Sequence, residues 1–213
     1  MGRLYRAVCP LPSAESIPAL GAYLETTLPL CRGYVDALAG GSIPPRVAVS
    51  RLCGLSLLPP LLERAGISPA RLRLYRDEHG RPYGISLDPT APAFDFNISH
   101  SNTYGACALL VGGGRVGIDA EDAIPPARAA ALIRRYCTDG EKRLLEGLTN
   151  EEAAAAFTRI WTIREALGKQ EGRGMPLRYD ATRIPHGVTV DSQPIGSSGA
   201  WITVACPRGV TEV

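Results

Sequence analysis

The chain has 213 residues, and its 23 Lys and Arg against 21 Asp and Glu give a formal net charge of +2. With 45% hydrophobic and 21% charged residues, the composition is that of a globular protein and excludes a disordered or fibrous one. The near balance of charge argues against sequence-independent nucleic-acid binding, because that requires a surplus of side chains that neutralise phosphates.

The N-terminal half is predicted to mix strands with helices. Strands are expected at residues 4–9, 72–75, 94–99 and 104–111. A Pro-rich connection and one or two helices follow the first strand. From Pro44 onward leucines recur near helical spacing, and Pro59 and Pro60 predict two helices or a kinked one. The segment 77–80 is typical of a turn.

The C-terminal half is expected to begin at the glycines 112–114, where the chain changes character. After a strand at 115–121, Pro125 and Pro126 open a helix to about Tyr136. Two capping boxes, Thr138 with Glu141 and Thr149 with Glu152, predict a short helix and a long one to about Gln170. Strands are expected at 180–184, 187–190 and 200–206. Without a regular βαβ alternation this predicts an α+β fold with halves 1–111 and 112–213.

Cysteine spacing and hydropathy bear on the compartment. The six cysteines are scattered without a C-x-x-C pair, which argues against a structural zinc site. The N-terminal residues lack an apolar signal core, and no run approaches the roughly 18 apolar residues of a membrane span. We therefore expect a cytoplasmic protein with reduced thiols and no membrane partner.

Two motifs match known patterns without the required context. The segment 112–117 fits G-x-G-x-x-G, but a dinucleotide site needs a helix at the third glycine, and residues 116–119 are typical of a strand. Ser99 and His100 suggest a hydrolase dyad, yet neighbours on an extended segment point to opposite faces. We predict a turn at the first motif and no dyad at the second.

Asp119 and Glu121 are the first candidate functional residues. Residues i and i+2 of a strand share a face, so both carboxylates point the same way, and their mutual repulsion calls for a compensating cation. A pair of hard oxygen ligands suits magnesium. An exposed strand face near a sheet end is the alternative.

A helix and a strand end supply the other candidates. Trp161, Glu165 and Lys169 recur at i, i+4 and i+8 on one helix face, where Glu165 and Lys169 could also be a simple surface ion pair. Gly168 inside this helix indicates close approach of a ligand or a backbone. The segment 96–101 offers hydroxyls and an imidazole that could hold a phosphate, or it could be a capped turn.

Together these segments resemble the 4′-phosphopantetheinyl transferases of the surfactin-synthetase-activating type. The ordered matches are Phe96-Asn97-Ile98-Ser99-His100-Ser101, Gly117-Ile118-Asp119-x-Glu121 and Trp161-Thr162-x-Arg164-Glu165-Ala166-x-x-Lys169, with further support from Gly80-Arg81-Pro82 and Gln170-Glu171-Gly172-Arg173-Gly174. The resemblance is good over about residues 79–177 and general elsewhere. Arg81 and Arg164 depart from the family's usual lysines, which alters the geometry offered to phosphate.

The resemblance implies two similar α+β subdomains related by a pseudo-two-fold axis, with coenzyme A in the cleft between them. A monomeric enzyme of this family transfers phosphopantetheine from coenzyme A to a serine of an acyl or peptidyl carrier protein, and 3′,5′-ADP is released. The carriers could belong to fatty-acid, polyketide or nonribosomal-peptide synthesis, and the motifs do not choose among them.

The resemblance also implies roles for individual residues. Asp119, Glu121 and Glu165 would hold Mg²⁺. Coenzyme A would be bound by Arg81, Ser99, His100, Lys169 and an upstream arginine, Arg51 or Arg46. The serine proton would go to Glu165, to a metal-bound water or to Glu141, whose capping box is the competing interpretation.

The sequence is also compatible with two other classes of protein. The chain could be a non-catalytic module that binds coenzyme A or a nucleotide, or a scaffold that binds carrier proteins without a small ligand. The presence of all three carboxylates, Asp119, Glu121 and Glu165, favours the enzyme.

Overall fold

The computed structural model describes residues 2–172 and 179–213. It confirms the mixed α+β class. The first half contains β1 (Arg3–Pro10), α1 (Ile17–Thr27), α2 (Arg32–Ala39), α3 (Pro45–Ser56), α4 (Leu58–Arg64), β2 (Leu72–Arg76), β3 (Pro82–Ser86), β4 (Phe94–His100) and β5 (Tyr104–Val111). The second half contains β6 (Gly117–Glu121), α5 (Pro126–Tyr136), α6 (Asp139–Leu145), α7 (Asn150–Glu171), β7 (Val188–Ile195), β8 (Ala200–Pro207) and β9 (Thr211–Glu212).

Three sheets organise these strands. The first has the order β4-β5-β1-β9, the second is the β2-β3 hairpin, and the third has the order β6-β8-β7. Among the described strands all pairings are antiparallel except that of β1 with β9. Because β9 pairs with β1, the last strand returns to the N-terminal sheet. The sheets of the two halves differ in strand number and order, and their pseudo-two-fold relation stays a prediction, as does the division at residue 112.

Alternation along β5 gives the central strand two buried faces. Cys107, Leu109 and Val111 belong to the core under the N-terminal helices. Ala106, Ala108 and Leu110 belong to a second core, which contains residues of β6 and β8. Because successive side chains of a strand point to opposite faces, one strand joins both cores.

The glycines 112–114 form the predicted turn. Their φ angles are 105°, 95° and 92°, in the left-handed region where a side chain would be strained. A strand, β6, follows them, so the dinucleotide motif is correctly rejected. None of the helices in the described ranges has the length and apolar character needed to cross a membrane.

The predicted strand at 180–184 is wrong. Over the described residues 179–187 the chain forms turns, because the Asp180 carboxylate accepts hydrogen bonds from the backbone N (2.8 Å) and the hydroxyl (2.5 Å) of Thr182. Strands β3 and β9 were not predicted. Arg173 and Gly174, part of the quoted motif, lie outside the described residues.

Candidate active site

The edge strands β4 and β6 belong to different sheets, and the hydrogen bonds between them run from backbone amides to side chains. Asp95, Asn97 and Ser99 alternate on one face of β4, and each accepts a hydrogen bond from a backbone amide of the second half. The donors are Val116 N to Asp95 Oδ2 (2.8 Å), Ile118 N to Asn97 Oδ1 (3.0 Å) and Ala120 N to Ser99 Oγ (3.3 Å). We call these three bonds the β4–β6 ladder. It fixes the register of the strand that carries Asp119.

Gly117 brings β6 against the backbone of α7. A Cβ at this position would collide with the carbonyl oxygen of Ala166 and stand 2.5 Å from the amide nitrogen of Gln170. A side chain here would force strand and helix apart. A glycine of β6 therefore makes a close approach to α7, and this sets Asp119 opposite the last turns of that helix. The close approach expected at Gly168 itself stays a prediction.

Asp119, Ser99 and Lys169 form the centre of the site. The Lys169 ammonium donates to Asp119 Oδ1 at 2.7 Å and to Ser99 Oγ at 2.9 Å, and the Ser99 hydroxyl donates to the same Asp119 oxygen at 2.9 Å. Asp119 is buried, and within the described part of the chain its second oxygen, Oδ2, has no hydrogen-bond partner. A buried carboxylate oxygen without a donor is costly, so this atom favours a ligand that supplies positive charge.

Glu121 and Glu165 complete a cluster of acidic groups. Burial, and next the charge of Asp119, raises the pKa of Glu121 to about 7. Burial, and next Asp119, also raises the pKa of Glu165, while Lys169 and Arg164 oppose that shift. Glu121 and Glu165 thus lie near enough to Asp119 for its charge to disfavour their charged forms.

These carboxylates fit a divalent cation by chemistry. Among residues 2–172 and 179–213, no three Asp, Glu, His or Cys side chains are arranged as a preformed metal cluster. The Asp119 oxygen without a donor, beside Glu121 and Glu165, nevertheless matches the hard oxygen donors that Mg²⁺ takes from protein carboxylates. The metal assignment stays a prediction.

A groove beside β4 is lined by the predicted coenzyme A residues other than Ser99. His100 lines a cavity of about 280 Å³ together with Arg46, and a second cavity of about 170 Å³ together with Arg51. Burial, then the charges of Lys169 and Arg51, lowers the pKa of His100. Both upstream arginines therefore face the groove at His100.

Lys169 lines a third cavity, of about 230 Å³, next to Arg81. The second and third cavities share Pro82 and Ile98, so the three cavities follow one another along β4. An elongated anion bound there would pass cationic groups at several points.

Arg81 lies at this groove, but its guanidinium is directed at protein acceptors. It donates to Asp95 Oδ2 (2.7 Å) and to the carbonyls of Phe96 (3.1 Å) and Val116 (2.9 Å). It also donates to the carbonyl of Lys169. Arg81 thus connects β4, the residue just before β6, and α7, while its predicted contact with coenzyme A is untested.

Glu141 is placed apart from the acidic cluster. Its capping box with Thr138 is confirmed, and its carboxylate accepts from Thr138 N at 2.9 Å, Arg164 Nη1 at 3.0 Å and Ala181 N at 2.8 Å. Both oxygens are therefore bonded to protein donors. Its predicted base role is untested, and this arrangement favours the structural interpretation.

Sequence reasoning assigned no role to Asp95, Asn97 or Asp122. Asp122 accepts from Ser101 Oγ at 2.8 Å and from Asn102 N at 2.9 Å, which extends the attachment of β4 to the second half. The available signal was the alternation of polar residues at 95, 97 and 99 on the predicted strand, continued at 101 just after it. Such alternation indicates a shared polar face, though not the partner it bonds to.

Residues 115–198 match the model of the 4′-phosphopantetheinyl transferase superfamily. The 4′-phosphopantetheinyl transferase AcpT of Salmonella typhimurium is 33% identical over 140 residues, which are 66% of this chain and 72% of that protein. A putative 4′-phosphopantetheinyl transferase of Synechocystis is 29% identical over 107 residues, and a 4′-phosphopantetheinyl transferase of Bacillus subtilis 31% over 119.

The match defines the class as a phosphopantetheinyl transferase fold. This chain belongs to the 4′-phosphopantetheinyl transferase family. The alignment with the Synechocystis protein covers 50% of this chain and 42% of that protein. The alignment with the Bacillus subtilis protein covers 56% of this chain and 50% of that protein. The chain thus spans about half the length of these relatives or less. The relatives carry several type names, AcpT, HetI and Sfp among them, so the comparisons support the family and not one type within it.

Proposed function

We propose that this protein transfers the 4′-phosphopantetheine group from coenzyme A to a serine of an acyl or peptidyl carrier protein, with Mg²⁺ and with release of 3′,5′-ADP. The observation that carries the proposal is the buried Asp119 oxygen without a donor, beside Glu121 and Glu165 and across from Lys169. Family membership adds the reaction class.

In this proposal Asp119, Glu121 and Glu165 hold the metal ion. When bound, Mg²⁺ neutralises negative charge on the phosphate oxygens of the donor. Lys169 serves as a point charge for a phosphate oxygen at the neighbouring cavity, and Ser99 keeps its ammonium in place through their 2.9 Å hydrogen bond.

The transfer itself is a displacement at phosphorus. The carrier serine oxygen forms a bond to the β-phosphorus of coenzyme A, the bond to the oxygen of 3′,5′-ADP breaks, and the serine proton passes to a base. Of the two candidate carboxylates, we assign the base to Glu165, because Glu141 has both oxygens bonded to protein donors. Positioning and charge stabilisation then supply most of the rate, as is general for phosphoryl transfer.

The proposal further assigns a monomer acting in the cytoplasm. Its six cysteines are free thiols in the structure, which is typical of a reducing compartment. The surfactin-synthetase-activating type rests on the motifs and is part of the proposal.

A carrier-loading assay tests the function. Purified protein is incubated with coenzyme A, Mg²⁺ and a panel of apo-carriers from fatty-acid, polyketide and nonribosomal-peptide systems. We expect one carrier class or more to gain the mass of one phosphopantetheine, and to lose that gain with a chelator. Absence of any gain across the panel would contradict the transferase, and binding of coenzyme A without transfer would support the non-catalytic module instead.

Glu165→Gln tests, within the same assay, the two roles proposed for Glu165, metal ligand and base. We expect kcat/KM to fall by roughly 10²–10⁴-fold, while thermal stability is unchanged or raised. Folding raises the pKa of Glu165, which means that the folded state disfavours its charged form and tolerates a neutral amide. Glu151→Gln, on the exposed first turn of the same helix, is the matched control and should stay active.

A further inference from the structure

Two free cysteines from distant parts of the first half lie side by side at the C-terminal end of β1. Cys9 Sγ and Cys53 Sγ are 3.2 Å apart, although 44 positions separate the residues. A disulfide bond is about 2.05 Å long, so the sulfurs need to approach by only about 1 Å to be joined. The residues of the proposed transferase reaction do not include either thiol.

The local backbone is arranged to receive the second sulfur. In the β1–β5 ladder Cys9 lies directly opposite Gly105. A Cβ at Gly105 would stand 2.8 Å from Cys53 Sγ, and one at Gly54 would collide with Ile98 Cγ2. The two glycines let α3 lie directly on β4 and β5, which brings its cysteine into the space beside Cys9.

The two thiols differ in accessibility and acidity. Cys9 is partly accessible, whereas Cys53 is buried. The hydrogen bond from Cys53, together with one from the Gly105 backbone, lowers the pKa of Cys9 to about 7. The hydrogen bond with Cys9, followed by burial, raises the pKa of Cys53. One partner therefore has the character of an attacking thiolate and the other that of a resolving thiol.

We propose that Cys9 and Cys53 form an oxidisable dithiol that closes to an intramolecular disulfide when the protein meets a peroxide. The Cys9 thiolate attacks one oxygen of hydrogen peroxide, the O–O bond breaks, and a sulfenic acid and hydroxide result. The Cys53 sulfur then displaces the sulfenic oxygen, its proton leaves with that oxygen as water, and the S–S bond forms. The sulfur atoms are oxidised and the peroxide is reduced, so atoms and electrons balance.

The disulfide would join two walls of the groove. Leu11 and Pro12, just after β1, and Val49 and Ser50 of α3 line the same cavity of about 280 Å³ as His100. A covalent link between Cys9 and Cys53 fixes the distance between these walls, independently of whether the site transfers phosphopantetheine.

Peptide mapping after peroxide treatment tests the proposal on the full-length protein. We expect a Cys9–Cys53 cross-linked peptide under non-reducing conditions, an intact mass lower by both thiol hydrogens, and reversal by dithiothreitol. The buried cysteines Cys31, Cys107, Cys137 and Cys206 are internal controls that should stay alkylatable after unfolding. Oxidation without this cross-link, or at the control cysteines first, would overturn the proposal.

Single serine variants separate the two roles. Cys53→Ser should accumulate a sulfenic acid on Cys9 that dimedone traps, and Cys9→Ser should leave Cys53 unreacted. Cys31→Ser, which leaves the pair intact, should cross-link like the parent protein. Equal dimedone labelling of Cys9 in the parent and in Cys53→Ser would show that Cys53 does not resolve the oxidised thiol.

Discussion

Glu141 and Arg164 form the most buried ion pair of the described residues. Their side chains are 0% and 1% exposed, and Glu141 Oε2 lies 3.0 Å from Arg164 Nη1. Arg164 also donates to the carbonyl of Tyr136 at 2.8 Å, so the pair connects α5, α6 and α7. A buried pair of this kind is costly to break, because desolvation of both charges has already been incurred.

Substitution of Glu141 should therefore act on stability first. Glu141→Gln removes the carboxylate charge that faces the buried guanidinium, and we expect it to lower the free energy of unfolding by about 3 kcal/mol. Chemical denaturation measures the change. Carrier loading per folded molecule should stay close to that of the parent, because we propose that Glu165, and not Glu141, takes the serine proton.

The second capping box of the chain provides the matched control. Glu152 accepts from Thr149 in the same arrangement, but on the exposed first turn of α7 and without a buried arginine. Glu152→Gln should cost clearly less stability than Glu141→Gln. If Glu141→Gln kept its stability and lost carrier loading, the residue would instead belong to the catalytic machinery.

The sequence predicted both capping boxes but could not distinguish them. Spacing of Thr and Glu by three residues defines the local hydrogen bonds, which depend on neighbouring backbone alone. Burial of Glu141 depends on Arg164, 23 positions further along, and on how three helices pack. In the resemblance, Arg164 is only a replacement for the lysine that is usual at that family position.

At the scale of elements, the β4–β6 ladder decides where Asp119 lies. Asn97 is buried at its middle rung and accepts from Ile118 N at 3.0 Å. The neighbouring apolar residues of β6 belong to the core shared with β5 and β8. The strand is thus positioned by apolar packing on its buried face and by polar side chains of β4 along its edge.

Asn97→Ala should loosen this strand. It leaves the buried amide of Ile118 without its acceptor, which costs about 1–3 kcal/mol. We expect a corresponding loss in the free energy of unfolding, and faster hydrogen exchange at Ile118 than at amides of β1. Asn102→Ala, at the exposed turn after β4, should leave both measurements unchanged. Unchanged exchange at Ile118 in the Asn97 variant would mean that the rung contributes little.

The sequence predicted which site residues share a strand face or a helix, but it did not predict the contacts of the β4–β6 ladder. Alternation placed Asp119 and Glu121 on one face and Glu165 and Lys169 on one helix, because strand and helix periods are local properties. The partners of Ser99, by contrast, come from positions 119, 120 and 169. Contacts between separate elements depend on tertiary packing, which the motifs alone did not supply.

At the scale of the whole molecule, both ends of the chain contribute to joining the halves. β9 adds to the N-terminal sheet beside β1. On the same strand Arg6 pairs with Glu212 Oε1 at 2.6 Å and with Asp191 Oδ2 of β7 at 2.5 Å. The boundary predicted from the glycines 112–114 did not reveal this, because a change of local character says nothing about a strand that returns to pair with the first one.

Arg81 makes the corresponding connection on the side of the groove, and its substitution tests the joint directly. Arg81→Met removes the ion pair with Asp95, in which the Arg81 side chain is 10% and the Asp95 side chain 16% exposed. It also removes the hydrogen bonds to the carbonyls of Phe96, Val116 and Lys169. We expect a loss of about 3 kcal/mol in unfolding free energy, measured by denaturation, with faster hydrogen exchange in β4 and β6.

A control variant and a second measurement distinguish a structural role of Arg81 from a role in binding coenzyme A. Arg73→Met, on the exposed face of the neighbouring hairpin, removes one positive charge just as Arg81→Met does, and it should leave stability unaltered. A coenzyme A titration of both variants adds the second measurement. If Arg81→Met weakened coenzyme A binding while its stability and exchange matched the parent, its guanidinium would act on the nucleotide, as the resemblance implies. If Arg81→Met lowers the free energy of unfolding, Arg81 acts by holding Asp95, β6 and the end of α7 in register. Any loss of coenzyme A binding then follows from that structural change.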